Sequence, residues 1–125
     1  MYKILVVDDE EAIVDILEKF LVMNGFEVIR AVGGEEAIKI LESDVKIDLM
    51  VLDMKMPKVN GMDVICRKES LNKKFPILLL TGSIDAQKYL ERLQSSGFRE
   101  DDIISKPVDL PVLLSKVKGK LRITQ

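Results

Sequence analysis

Apolar positions along this chain fall into two alternating rhythms. Continuous runs of strand length occupy residues 4–7, 28–32, 49–52, 77–80 and the short pair 103–104. Between them, apolar residues recur at helical spacing. Ile13, Ile16, Leu17, Phe20 and Leu21 form one stripe, and Leu110, Leu113, Leu114, Val117 and Leu121 form another. Shorter stripes are Ala37, Ile38 and Leu41; Met62, Ile65 and Cys66; and Tyr89, Leu90 and Leu93. Punctuation agrees with this division. Asn24-Gly25 should end the first helix and Gly97 the fourth. Asp109 should cap the last helix, with Pro111 tolerated in its first turn.

Five successive β–α units predict a doubly wound α/β fold, a parallel sheet covered by helices on both faces. Runs without polar alternation suit strands buried on both sides. In such sheets the ligand site lies beyond the carboxyl ends of the strands. The polar residues there are Asp8 and Asp9 after the first strand, Asp53 after the third, Thr81 after the fourth and Lys106 after the fifth. Residues scattered along the chain thereby become one predicted cluster.

That cluster accounts for the sequence ILVVDDEEA, in which four apolar residues run straight into four carboxylates. One acidic residue would suffice as a helix cap. Three carboxylates in one pocket disfavour full ionisation unless a cation sits among them. An all-oxygen set suits Mg²⁺, which keeps several waters and takes one or two carboxylates plus a phosphate. A carboxylate can itself attack phosphorus and form an aspartyl-phosphate. It is ionised at neutral pH and needs no general base. Capping of the first helix is a secondary role for the Asp8–Asp9 pair. Cys66, on an apolar helical face, is expected in the core.

Composition narrows the partners. A length of 125 residues is that of one domain with one core. Net charge is −2 and no basic run is dense enough for a nucleic-acid footprint, which argues against direct nucleic-acid binding. One cysteine excludes an internal disulfide and fits a reducing, cytoplasmic setting. The start of the chain leads directly into a strand too short to span a membrane, so neither a signal peptide nor a membrane segment is expected. Histidine is absent, so any imidazole chemistry must come from another protein.

VVDDEE, LMVLDMKMPKVNGMDV, LLLTGS and SKP, in this order and spacing, resemble the receiver domain of two-component response regulators across essentially the whole chain. The resemblance implies one receiver domain over residues 1–125, with a flavodoxin-like five-stranded sheet of order 2-1-3-4-5 and five helices. It implies a histidine kinase or histidine phosphotransfer protein as phosphodonor and Asp53 as phosphoacceptor. Mg²⁺ would be held by the side chains of Asp9 and Asp53, the backbone carbonyl of Lys55, and Asp8 mostly through water. Thr81 and Lys106 would bind phosphoryl oxygens, and the Lys106–Pro107 bond would be cis. Activation would reach the surface of helix 4, strand 5 and helix 5, where the family leaves open a phosphorylation-dependent dimer. The domain would catalyse only its own phosphorylation and dephosphorylation.

Two departures stand out. Ile103 occupies the place, three residues before the lysine, where the family carries Tyr or Phe, and Phe98 or Tyr89 would have to compensate. Residues 95–102 are also slightly longer than the usual approach to the last strand. Two rival readings fit less well. A haloacid-dehalogenase-type phosphohydrolase needs a second acid two residues after its nucleophile, where this chain has Lys55. A pseudo-receiver docking module would have lost the acceptor or the acidic pair, and both are present.

Overall fold

The alternation in the sequence becomes a sheet whose two faces carry separate cores. In the computed structural model, which describes residues 1–82 and 91–123, the strands are β1 (Lys3–Asp8), β2 (Glu27–Val32), β3 (Leu49–Asp53), β4 (Ile77–Thr81) and β5 (Ile103–Ser105). The helices are α1 (Glu11–Met23), α2 (Gly34–Glu42), α3 (Gly61–Ser70), α4 (helical residues 91–95) and α5 (Leu110–Leu121). All strand pairings are parallel and the order is β2-β1-β3-β4-β5.

Successive strand residues point to opposite faces, so each continuous apolar run feeds both cores. Leu5, Val7, Met50, Leu52 and Leu79 face Ala37 and Leu41 of α2, Val64 and Ile65 of α3, and Leu93 of α4. Ile4, Val6, Leu49, Val51, Leu78 and Leu80 face Val14, Leu17 and Leu21 of α1 and Leu113 and Val117 of α5. The central strands β1, β3 and β4 are buried almost throughout, while outer strand β2 is only partly covered.

β2 carries Arg30, whose guanidinium reaches across to α1. It meets Asp15 at 2.7 Å, Glu18 at 2.8 Å and Glu11 at 3.9 Å. On the same strand the Val32 N–H donates to Glu36 Oε2 at 2.6 Å. At the other side of the sheet, a single turn over Glu100–Asp102 leads into β5. Its Asp102 carboxylate is buried, accepts from the Arg99 N–H at 2.8 Å and pairs with Lys120 of α5. Lys116, one turn earlier on α5, pairs with Asp101 at 2.9 Å. Asp101 and Asp102 lie in the segment whose length departed from the family pattern, and Lys116 and Lys120 hold it from α5.

The expected punctuation holds at both ends of the chain. Asn24 closes α1 and Gly25 takes φ +91°; Gly97 follows α4 at φ +92°. Asp109 caps α5 by accepting from the Val112 N–H at 3.1 Å. Three expectations are corrected. Ile16 is 54% exposed, because the buried stripe of α1 runs through Val14, Leu17 and Leu21 instead. Cys66 is exposed: α3 turns Val64 and Ile65 inward, and the next residue faces solvent. The cap position of α1 belongs to Glu10, without a side-chain cap bond, so neither Asp8 nor Asp9 caps that helix. Tyr89 and Leu90 lie outside the described residues.

Candidate functional site

Parallel register brings the strand ends into one place. Asp8 ends β1, Asp53 ends β3 and Thr81 ends β4. The Lys106 N–H donates to the Thr81 carbonyl at 2.9 Å, which fixes where β5 delivers its lysine. Lys106 Nζ then donates to Asp8 Oδ2 at 2.9 Å and lies 3.4 Å from Asp53 Oδ2. The Lys106–Pro107 bond is cis, as the resemblance implied.

The carboxylates are also held by backbone. Asp8 Oδ1 accepts from the Glu10 N–H at 3.0 Å, and Asp53 Oδ1 from the Lys55 N–H at 3.2 Å. The Asp8 and Asp53 side chains are therefore oriented by their own loops, with one oxygen each left toward the lysine. Asp8, Asp53 and Thr81 are buried and Asp9 is half-buried. The Thr81 hydroxyl donates to the Gly82 carbonyl at 2.8 Å.

Electrostatically this is a strained arrangement. Burial and the neighbouring Asp8 charge push the Asp53 carboxyl up from 3.8 to about 7, against the opposing pull of Lys106. Burial alone would lower Lys106, but the hydrogen bond to Asp8 and the charge of Asp53 outweigh it and raise the ammonium. One lysine does not neutralise three carboxylates. One oxygen from each of Asp8, Asp9 and Asp53 lies within 4.8 Å of the others, so a divalent cation fits both the charge deficit and the oxygen donor set.

The cluster opens to solvent through a cleft of about 540 Å³. Besides Asp9, Asp53 and Lys106, its walls include Lys55, Met56 and Gly82. Lys55 is exposed at this mouth. Met56, buried at 6% exposure, is not singled out by the sequence; its place between Lys55 and Pro57 just after β3 is the available signal. A larger, shallower depression of about 720 Å³, lined by Gln94, Phe98, Arg99, Glu100, Asp101 and Lys116, lies elsewhere on the surface. Ile103 is half-buried, and Phe98 packs against the same core. Ser83, two residues after Thr81 in LLLTGS, lies outside the described residues.

The comparisons agree with this geometry. Residues 4–118 match the family described as the response regulator receiver domain. The chain is 39% identical over 120 residues to the alkaline phosphatase synthesis transcriptional regulatory protein PhoP of Bacillus subtilis, covering 96% of this chain and 48% of that protein. It is 40% identical over 118 residues to the CAI-1 autoinducer sensor kinase/phosphatase CqsS of Vibrio cholerae, covering 92% of this chain and 17% of that one. It thus spans half or less of the length of these curated relatives. Among solved structures, a response regulator receiver domain protein from Clostridium thermocellum superposes with a TM-score of 0.84 at 29% identity, covering 98% of this chain and 95% of that one. The receiver domain of the Francisella response regulator 1452 superposes with a TM-score of 0.81 at 27% identity, covering 100% of both chains. With its sheet order, its strand-end cluster and these matches in agreement, the chain belongs to the family of response regulator receiver domains.

Proposed function

We propose that residues 1–125 form one receiver domain that accepts a phosphoryl group on Asp53 from a histidine kinase or histidine phosphotransfer protein. The observation that carries this reading is the convergence of Asp8, Asp53 and Lys106 at the ends of three strands, in a cleft open to a donor. An Asp53 carboxylate oxygen attacks phosphorus; the P–N bond to the donor imidazole breaks, and its electron pair leaves with the ring. These 125 residues contain no histidine, so the donor imidazole lies outside them. Lys106 gives a fixed positive charge to the incoming oxygens, and the Thr81 hydroxyl can turn from the Gly82 carbonyl to donate to one of them.

Asp9, Asp53 and the Lys55 carbonyl would hold Mg²⁺, with Asp8 acting through water. When bound, the ion supplies charge neutralisation for the carboxylates and the phosphoryl oxygens. Cytoplasmic placement is part of this reading, and no helix among the described residues is long and apolar enough to cross a membrane. Activation would be read at α4, β5 and α5, through docking or a phosphorylation-dependent dimer.

Incubation with acetyl phosphate and Mg²⁺ tests the reading. One base-labile phosphoryl group should form in the unsubstituted protein, chelation should suppress it, and Asp53→Ala should abolish it. Equally stable phosphorylation of Asp53→Ala would overturn the assignment.

A further inference from the structure

The connection from β3 to α3 carries both Lys55 and Met56 at the cleft mouth, and its backbone is unusual. The Val59 N–H donates to the Pro57 carbonyl at 2.8 Å, closing a three-residue turn around Lys58, which has φ +65°. A lysine rarely adopts that conformation, which persists only where the surroundings over-determine it.

The surroundings are visible on both sides. Toward α3, the Asn60 N–H donates to Asp63 Oδ2 and the Asp63 N–H to Asn60 Oδ1, each at 3.0 Å, in a capping box. The Gly61 N–H donates to the Met54 carbonyl at 3.0 Å. A Cβ at Gly61 would stand 2.7 Å from Met54 Cα and 3.0 Å from the Asp53 carbonyl oxygen. Toward α2, the contact is with Gly34, the first residue of that helix. A Cβ there would stand 2.4 Å from the Val59 carbonyl oxygen, 2.6 Å from Val59 Cγ1 and 2.8 Å from Val59 Cβ. Two backbones meet with no room for a methyl group. Nothing in α2 lines the cleft, yet its first turn is pressed against the loop that does.

We propose that the Gly34–Val59 contact is a positioning device: the first turn of α2 braces the β3–α3 connection and so fixes the Lys55 carbonyl and Met56 at the mouth of the carboxylate cluster. It rests on the reading of that cluster as a Mg²⁺ site, and it adds α2 to the elements that set the geometry of the site. Gly34→Ala should push Val59 and its loop outward. Val59→Ala should loosen the same contact without a clash. Both should weaken Mg²⁺ binding by about tenfold, the scale seen when groups that orient metal ligands are lost.

Calorimetric titration with Mg²⁺ on the folded variants, beside urea unfolding, provides the test. Ile40→Ala, farther along α2 and half-buried, serves as a control for general loosening. The expected result is weaker Mg²⁺ binding in Gly34→Ala and Val59→Ala, and affinity close to the unsubstituted protein in Ile40→Ala. If Gly34→Ala does not fold, Val59→Ala carries the test alone. Unchanged affinity in Val59→Ala, or an equal loss in Ile40→Ala, overturns the brace while leaving the metal site intact. Absence of Mg²⁺ binding by the unsubstituted protein overturns both.

Discussion

Asp53→Asn should make the metal-free protein more stable, and the gain should depend on pH. Asp53 is only 3% exposed, and its carboxyl is raised from 3.8 to about 7 by burial and by Asp8. Between those values the folded state holds a proton that the unfolded state has released. Stability therefore falls as pH rises from about 4 to beyond 7. A separation of about three pH units at ~1.4 kcal/mol each sets a ceiling of ~4 kcal/mol. Water entering through the cleft screens part of this, so a gain of about 2 kcal/mol at pH 8 is expected. Asparagine has the shape of the protonated acid, and Lys106 keeps its 2.9 Å bond to Asp8, so no charge is stranded. Urea unfolding followed by circular dichroism, in chelator at several pH values from 5 to 8, measures the difference directly. All other titrating groups are common to both proteins and cancel. The difference should be clearly smaller at pH 5 than at pH 8, where it reaches its plateau. Millimolar Mg²⁺ should narrow it by stabilising the unsubstituted protein through binding to the folded state alone. A difference that is flat with pH, or a less stable Asp53→Asn at pH 8, would refute the electrostatic reasoning.

Further outcomes follow from the same geometry. Lys55 stands exposed at the cleft mouth, where its stem would obstruct water approaching a phosphoryl group on Asp53. Lys55→Asn should speed phosphoryl loss by about tenfold, equivalent to ~1.4 kcal/mol of barrier; decay of labelled phosphoprotein after removal of the donor measures it, and an unchanged rate would identify a merely solvated side chain. Gly61→Ala should cost about 1–3 kcal/mol in urea unfolding, because the new methyl group meets Met54 and the Asp53 backbone. Ile103, β-branched and half-buried, should keep its rotamer when beryllofluoride mimics the phosphoryl group, as side-chain NMR of that residue would report.

How much of this was legible in the sequence follows from the physics of each part. The strands were readable because Leu49 to Leu52 and Ile77 to Leu80 are apolar on both faces, and only a doubly covered sheet rewards that. Strand-end Asp8, Asp53, Thr81 and Lys106 were readable because parallel topology forces them together. Ile16 and Cys66 were misread for one reason: a helical stripe has margins, and a residue 100° from the buried line can face water whatever its hydrophobicity. The Asp102–Lys120 and Asp101–Lys116 pairs, and the tight seat of Gly34 on Val59, were not legible. Each depends on the approach of segments distant in sequence, and neither charge alternation nor a lone glycine specifies a partner.

The Arg30 clasp on β2 governs what the molecule does in the company of its own copies. The outermost strand of a sheet presents unpaired backbone groups, a template on which a foreign strand can polymerise. Here Glu36 already occupies the Val32 N–H, and Arg30 is drawn over the helix by Asp15, Glu18 and Glu11. An incoming strand would have to displace Glu36 from the Val32 N–H. This guard is made of exposed charges, so added salt weakens it while leaving the apolar side chains of β2 as attractive as before. Growth through this strand should therefore be suppressed at low ionic strength and favoured at high.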